Sequence, residues 1–471
     1  LQDFLHRRQP DLYERRPAKV AVSSLEGAKL HLYEMNGAKI AVDAAGGAVH
    51  LLDDISWAIL QRGLMESRAE AVAALQDFPI PSVEGAWDEL DQLRQEGLLF
   101  GDEPWRSWAP PEDAPVKALC LNVAQSCNMA CKYCFASPYT KENDLMPLEV
   151  ALKAVDWLVA HAGSRRHLEI DFFGGEPLLN WSIIPAVVEY ARKYQDKVFA
   201  FTLTTNGLLL TEDKMDFLNK ENIQVVMSLD GRAKVHDAMR PPAGGSYSTY
   251  NRVVPRFVRL ADSREHRNYY VRGTYTNANL DFTEDVRHLA DLGFREISLE
   301  PVVSVDGPFA LGDEHVPAIL REYDRLTEFY LARQREGMPF SFFHFQVDLF
   351  RGPCIHKRLT GCGAGYEYLA VTPQGEIYPC HQFVGRDGFL MGHVEENKLD
   401  SSIVRLFQEA HLFNKEGCPD CWARYFCGGG CHANAHLFNG DIHRPHEQGC
   451  LLHRKRLECS FYIQSQLLHT S

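Results

Sequence analysis

The feature that most constrains this chain is the placement of its thirteen cysteines. None precedes Cys120, four fall within 120–134, and nine lie from Cys354 onward. A chain of 471 residues has enough apolar surface to build its own cores, so clustered thiols point to metal rather than to a disulfide scaffold. Cys127, Cys131 and Cys134 have the spacing C-x3-C-x2-C. Three thiolates on one tight loop can hold three irons of a cubane [4Fe–4S] cluster and leave the fourth iron open. Zinc is the competing reading, but structural zinc takes four ligands, and no fourth Cys or His stands nearby in sequence. The second group comprises Cys354, Cys362, Cys380, Cys418, Cys421, Cys427, Cys431 and Cys450, with a C-x2-C-x5-C-x3-C core. CxxC pairs of this kind also occur in zinc modules. Cys120 falls inside a predicted strand and Cys459 inside a predicted helix, and both are expected to be buried thiols.

The residues around these groups divide the chain. Residues 1–29 are polar and read as an arm. HLYEMNGAKIAVDAAGGAVHLLDD predicts three short strands turning at Asn36-Gly37 and Gly46-Gly47. Asp53 or Asp54 can cap the helix that follows, and a second helix, ending DELDQLRQEGLLF, closes at Gly97. Three strands plus helices suggest a small winged-helix module over 30–103. EPWRSWAPPEDAP carries four prolines and reads as a linker. From 117 to 335 apolar runs alternate with amphipathic stretches. Strands are expected near 118–124, 167–173, 198–204, 223–228, 268–275 and 295–300, with helices such as 146–161, 182–194 and 282–291 between them. Repeated βα units imply a parallel sheet. Six suit an open, partial barrel, with its chemistry at the C-terminal ends of the strands. Residues 340–471 read as a compact metal-stapled region ending in a helix near 450–468.

Charge excludes some partners. Acidic residues outnumber basic ones, 63 to 49, which argues against nucleic acid or an anionic membrane. Segment 30–100 is not basic either, against a DNA-binding use of a winged helix. No run of about 18 apolar residues predicts a spanning helix. The first residues lack the apolar core of a secretion signal, so a cytoplasmic location is expected.

From about 117 to 335 the chain resembles radical S-adenosylmethionine enzymes. The carriers of this resemblance are the three-cysteine loop with Tyr133 before its last Cys, Gly174-Gly175-Glu176-Pro177 after the second strand, Thr205-Asn206-Gly207 after the third and Ser228-Leu229-Asp230-Gly231 after the fourth. The resemblance implies that the open iron chelates S-adenosylmethionine. The Gly174–Pro177 backbone and Glu176 would meet the methionine amino group. Thr205, Asn206, Ser228 and Asp230 would line the cofactor, and Arg272, on the fifth strand, is a candidate for the methionine carboxylate. The region after 340 resembles the SPASM domain. That implies two auxiliary [4Fe–4S] clusters, one on Cys354, Cys362, Cys380 and Cys431, the other on Cys418, Cys421, Cys427 and Cys450, for three clusters in all. The expected architecture is α/β: a partial (β/α)6 barrel, an N-terminal winged-helix peptide-recognition domain and a C-terminal SPASM domain.

Segments such as GCGAGYEYLAVTPQGEIYPCHQFVG look like thioether-forming peptide maturases. One branch matures the quinohemoprotein amine dehydrogenase γ subunit, joining Cys sulfur to Asp or Glu side-chain carbons. The other matures SCIFF peptides, joining sulfur to an α-carbon. The arm before residue 30 favours the first. The resemblance implies a small Cys-containing substrate held through a leader segment, and a reductant such as flavodoxin or ferredoxin. Sulfatase maturases place an Asp base directly after the third ligand of the first auxiliary cluster. Here that position is His381, which could take a proton from a substrate thiol or only hydrogen-bond a cluster sulfur. A formylglycine-type dehydrogenase and a non-catalytic iron–sulfur carrier or zinc adaptor are the other classes. A carrier would normally use four ligands per cluster.

Overall fold

A computed structural model of the chain describes residues 30–63, 67–103, 105–111, 113–136, 144–349 and 355–468. The arm at 1–29 and Cys354 lie outside them. Two compact units emerge, one formed by the residues up to Glu103 together with Asp420–Trp422, the other by the remainder.

In the first unit, β1 (Leu30–Met35), β2 (Ala38–Asp43) and β3 (Val49–Leu52) form an antiparallel meander with β2 in the centre. Asn36 and Gly37 both adopt positive φ, +49° and +81°, as a two-residue hairpin turn requires. Asp53 is the cap of α1 (Asp54–Gln61), its carboxylate accepting the Ser56 N–H at 2.7 Å. A short helix unforeseen from sequence, α2 (Arg68–Ala74), precedes α3 (Ile80–Gln95). Gly97, at φ +70°, ends α3 in the left-handed conformation that glycine tolerates. Leu30, Ala41, Ile59, Leu60, Val83 and Leu90 close a core of the unit's own.

The second unit follows the predicted alternation. Its barrel strands are β4 (Ala118–Ala124), β5 (His167–Gly174), β6 (Val198–Thr205), β7 (Gln224–Ser228), β8 (Tyr269–Tyr275) and β9 (Glu296–Pro301). They pair in parallel and in sequence order. Between and after them run α4 (Leu148–His161), α5 (Ile183–Ala191), α6 (Glu212–Lys220), α7 (Ala233–Met239), α8 (Thr249–Ser263), α9 (Phe282–Asp291) and α10 (Val316–Arg335). The sheet does not stop at the sixth strand. β10 (Ser341–Phe342) adds in parallel to β9. After α11 (Ile355–Thr360), β11 (Tyr368–Val371) adds in parallel to the free edge of β4, and β12 (Glu376–Tyr378) and β13 (Gly392–His393) continue from it antiparallel. The cysteine-rich region is thus stitched onto the strand that delivers the first cysteine loop. α12 (Ser401–Glu409), α13 (Arg424–Cys427), α14 (His432–Asn439) and α15 (Glu447–Leu468) complete the chain. Cys120 in β4 and Cys459 in α15 are both buried, as expected. No helix among the described residues is long and apolar enough to cross a membrane.

Candidate active site

All seven residues of β4 are buried, so its end is a rigid platform for the loop carrying Cys127, Cys131 and Cys134. A second segment clamps this loop. Lys132 N–H bonds the Met239 carbonyl (2.9 Å), Ala130 N–H the Pro241 carbonyl (2.9 Å), and Ala243 N–H the Asn128 carbonyl (3.0 Å). Burial above all, with Cys134 adding to it, pushes the Cys127 thiol up to about 12 and the Cys131 thiol to about 11. As bare thiols they would stay protonated, and it is a bound metal that lets such a set ionise together. Among the described residues no three Cys, His, Asp or Glu side chains converge as a single-ion site requires. Three cysteines on one loop supply one ligand fewer than the four structural zinc takes, and suit three corners of a cubane.

The turn after β5 lies against this loop. Gly175 N–H bonds the Ala124 carbonyl at 2.7 Å, and Glu176 N–H bonds the Ser126 carbonyl at 2.9 Å. The approach admits only glycine. A Cβ on Gly174 (φ +134°) would stand 2.0 Å from the Ala124 oxygen, and one on Gly175 would stand 2.3 Å from the Ser126 oxygen. The fully buried Glu176 carboxylate accepts from Leu178 N–H (3.0 Å), Thr205 hydroxyl (2.8 Å) and Asn206 N–H (2.7 Å). Burial raises its pKa to about 7 against those donors. Glu176 thus ties the β5 turn to the end of β6, with Pro177 opening the short helical turn behind it. Asn206 turns back to the cysteine loop, its Nδ2 2.8 Å from Asn128 Oδ1 and 3.8 Å from Cys127 Sγ.

Asp230, also fully buried, is a second strut. It accepts from the Tyr133 hydroxyl (2.6 Å) and the Thr274 N–H (2.9 Å) and pairs with Arg240 (3.0 Å). Tyr133 and Asp230 therefore brace the cysteine loop from behind. Arg240 escaped the sequence reading. Its only signal there is an arginine before Pro-Pro, and its partners lie ten and about a hundred residues away. Ser228, Arg272 and Ser298 stand in one row across β7, β8 and β9, and Arg272 is exposed.

A small open pocket, with an inner volume of about 30 Å³, lies beside Gly174 and Gly175. Its walls include Phe135 from the cysteine loop, Asn122 and Phe173 from the strands, and His381 and Gln382 from the segment just after Cys380. The His381 ring packs 4.8 Å from that of Phe173 and 5.7 Å from that of Phe135, with Nδ1 3.4 Å from the Tyr368 hydroxyl. Burial, and then the Arg272 charge, lower its pKa to about 4, so the ring is neutral at physiological pH.

Cys380 interacts with Cys362 and Cys431, three of the four thiols expected to share a cluster. Burial pushes the Cys380 thiol upward in pKa, as it does the first set. The buried Lys415 ammonium donates to the Gly429 carbonyl at 2.8 Å. It lies within electrostatic reach of Cys362 and Cys431 and also of Cys418 and Cys427. Cys450 stands in the first turn of α15, and Cys421 lies in the short segment that clusters with the first unit.

The Radical SAM superfamily model matches residues 121–260, and an iron–sulfur cluster-binding domain model, SPASM, matches 362–422. The chain is 25% identical over 362 residues to the radical SAM cyclopropyl synthase TigE of Paramaledivibacter caminithermalis, covering 72% of each. It is 23% identical to a cysteine-type anaerobic sulfatase-maturating enzyme of Clostridium novyi, over 66% of this chain and 86% of that one. Its fold is similar to that of native anSMEcpe with bound AdoMet, with a TM-score of 0.62 at 20% identity, covering 76% of this chain and all of the other.

Proposed function

The chain being a radical S-adenosylmethionine enzyme with a SPASM domain, of the kind that modifies peptides, we propose that it forms thioether crosslinks, joining Cys sulfur to Asp or Glu side-chain carbons, in the γ subunit of a quinohemoprotein amine dehydrogenase. A SCIFF-type link to an α-carbon is the nearest other product. The observation that carries this reading is the position of the cavity. One wall is the glycine turn and cysteine loop, and the other is His381 and Gln382 beside Cys380. A peptide side chain laid across the mouth of the cavity would lie between a radical source and an electron acceptor.

In this reading Cys127, Cys131 and Cys134 hold the cluster that binds S-adenosylmethionine. Cys362, Cys380, Cys431 and Cys354 hold one auxiliary cluster, and Cys418, Cys421, Cys427 and Cys450 the other. When bound, these groups supply one-electron cleavage of a sulfonium C–S bond and a sink for the electron left over when the thioether forms. The chain does the rest. The Gly174–Gly175 backbone, held against the cysteine loop, would meet the methionine amino group of the cofactor. Thr205, Asn206, Ser228 and Arg272 present polar groups along the strand ends. Phe135 and Phe173 give the pocket apolar walls. His381, neutral and facing it, can accept the proton of the substrate thiol. The first unit would bind the leader. Among the described residues β3 pairs only with β2, so the meander offers at β3 an edge to which a peptide strand can add. A flavodoxin or ferredoxin in a reducing, cytoplasmic setting would supply electrons.

The test is a substrate deuterated at the acceptor carbon. Deuterium should appear in 5′-deoxyadenosine, with the product lighter by two hydrogens per crosslink and its thiols no longer alkylatable. Label retained in the peptide while crosslinks form would defeat carbon-first chemistry. Release of substrate sulfur as sulfide would instead indicate oxidation of the sulfatase-maturase type.

A further inference from the structure

The clamp over the cysteine loop contains a buried cation that the scheme above does not use. Arg240 is the residue at which α7 ends, between Met239 and Pro241, whose carbonyls both receive N–H bonds from the cysteine loop. Only 9% of Arg240 is exposed. Its Nη2 lies 3.0 Å from Asp230 Oδ1, its guanidinium stands 5.4 Å from the Tyr133 ring centre, and it also reaches the Cys131 thiol. Its Nε–H is buried and has no hydrogen-bond partner. A buried guanidinium keeps its charge at any accessible pH, and an unpaired N–H there is costly unless something accepts from it.

We propose that Arg240 is a positioning and potential-setting residue for the cluster on Cys127, Cys131 and Cys134, its free Nε–H donating to a sulfur of that cluster and its charge favouring the one-electron-reduced state. The inference rests on the reading that these cysteines hold a cubane. One electron enters from a low-potential carrier of the flavodoxin or ferredoxin type, the cluster passes from its 2+ to its 1+ state, and no bond is broken. The reduced state is more negative by one charge, so a fixed cation at its edge stabilises it preferentially. Net charge and hydrogen bonds to sulfur are among the levers that set such potentials. Asp230 offsets part of the charge but also anchors the guanidinium, so the pair supplies orientation as well as field.

The experiment is a redox titration of the full-length, anaerobically reconstituted protein followed by electron paramagnetic resonance. The relevant cluster is recognised by the change in its signal when S-adenosylmethionine is added. In Arg240→Gln the reduction equilibrium constant should fall at least tenfold, about 59 mV more negative for one electron, and Arg240→Lys should recover part of this. A role confined to folding would lower iron content but leave the potential of loaded protein unchanged, and that result overturns the proposal. Should Arg240→Gln fail to load, unmutated protein grown with 15N-guanidinium arginine decides the matter. A 15N coupling to the reduced cluster that vanishes in Arg240→Lys supports the assignment, and its absence from unmutated protein refutes it. If unmutated protein shows no signal responsive to S-adenosylmethionine, it is the cluster reading that fails, not the role given to Arg240.

Discussion

At Gly175 one missing methyl group decides whether two loops can meet. A Cβ there would lie 2.3 Å from the Ser126 carbonyl oxygen and 3.1 Å from Cys127 Cβ, and neither atom can move without displacing the first cysteine. On the proposed three-cluster reading, Gly175→Ala should therefore lose about four of some twelve irons per chain and fail to bind S-adenosylmethionine, while absorption from the other clusters persists. Gly85→Ala is the control. It sits in α3 with open space around its added Cβ, and should leave iron content unchanged and raise stability by about 0.5–1 kcal/mol. Full iron loading in Gly175→Ala would show that the loop tolerates displacement. Much of the site at this scale was legible, because the cysteine spacing and the GGEP run state their chemistry in adjacent residues. The inward use of Glu176 and Asp230 was not. Both were expected to line the cofactor, and their carboxylates also bond to Thr205, Asn206, Tyr133 and Arg240, partners that only the closed sheet brings near.

Among elements, the six barrel strands fall within about a residue of their predicted ends, since each is an apolar run bounded by a helix or, for β4, preceded by a Pro-rich linker. The additions to the sheet were not readable. β10 has two residues and β13 two, and β11, taken for part of a separate metal-stapled region, joins β4 through a register that no local pattern encodes. α2, seven residues long, is too short for a helical period to stand out. The final helix was readable, but not what fastens it. On α15, Arg456 Nε donates to the Tyr323 hydroxyl on α10 at 2.7 Å, and its Nη1 lies 3.3 Å from His344 Nδ1 and 3.9 Å from Glu300 Oε2. His344 Nε2 is itself 3.0 Å from Glu300 Oε1. Burial pushes the Glu300 carboxyl up, but His344, Arg456 and Arg272 together pull it well below the usual carboxylate range. A depressed carboxyl contributes stability above its unfolded pKa and loses it as pH falls. Arg456→Met should cost about 3–5 kcal/mol at pH 7, read as a lowered thermal midpoint, and the deficit should shrink below about pH 4 as Glu300 takes up a proton. A deficit of the same size at pH 7 and in acid would mean that lost packing, not the ion pair, is responsible.

At the scale of the whole molecule, the proposed leader recognition and the proposed radical chemistry fall in different units. Every residue placed in the cofactor site or against the cavity belongs to the second unit. The first has its own core of Leu30, Ile59, Leu60, Val83 and Leu90 and borrows only residues 420–422 from elsewhere. Its contribution to the reaction would then be to hold substrate, not to make radicals. A chain lacking residues 1–105 should accordingly retain S-adenosylmethionine cleavage while losing modification of a full-length substrate, and a short substrate without its leader should be processed poorly by both forms. Because Cys421 sits in the borrowed segment, iron content must be measured alongside. A truncated chain short of about four irons would have lost an auxiliary cluster, and its failure to crosslink would then say nothing about the leader. The decisive complement leaves the full chain intact: free leader peptide added in excess should compete with full-length substrate and lower crosslink yield without slowing 5′-deoxyadenosine formation in the absence of substrate. Normal crosslinking by a fully iron-loaded truncated enzyme would remove substrate recognition from the first unit and place it in the barrel or the cysteine-rich region.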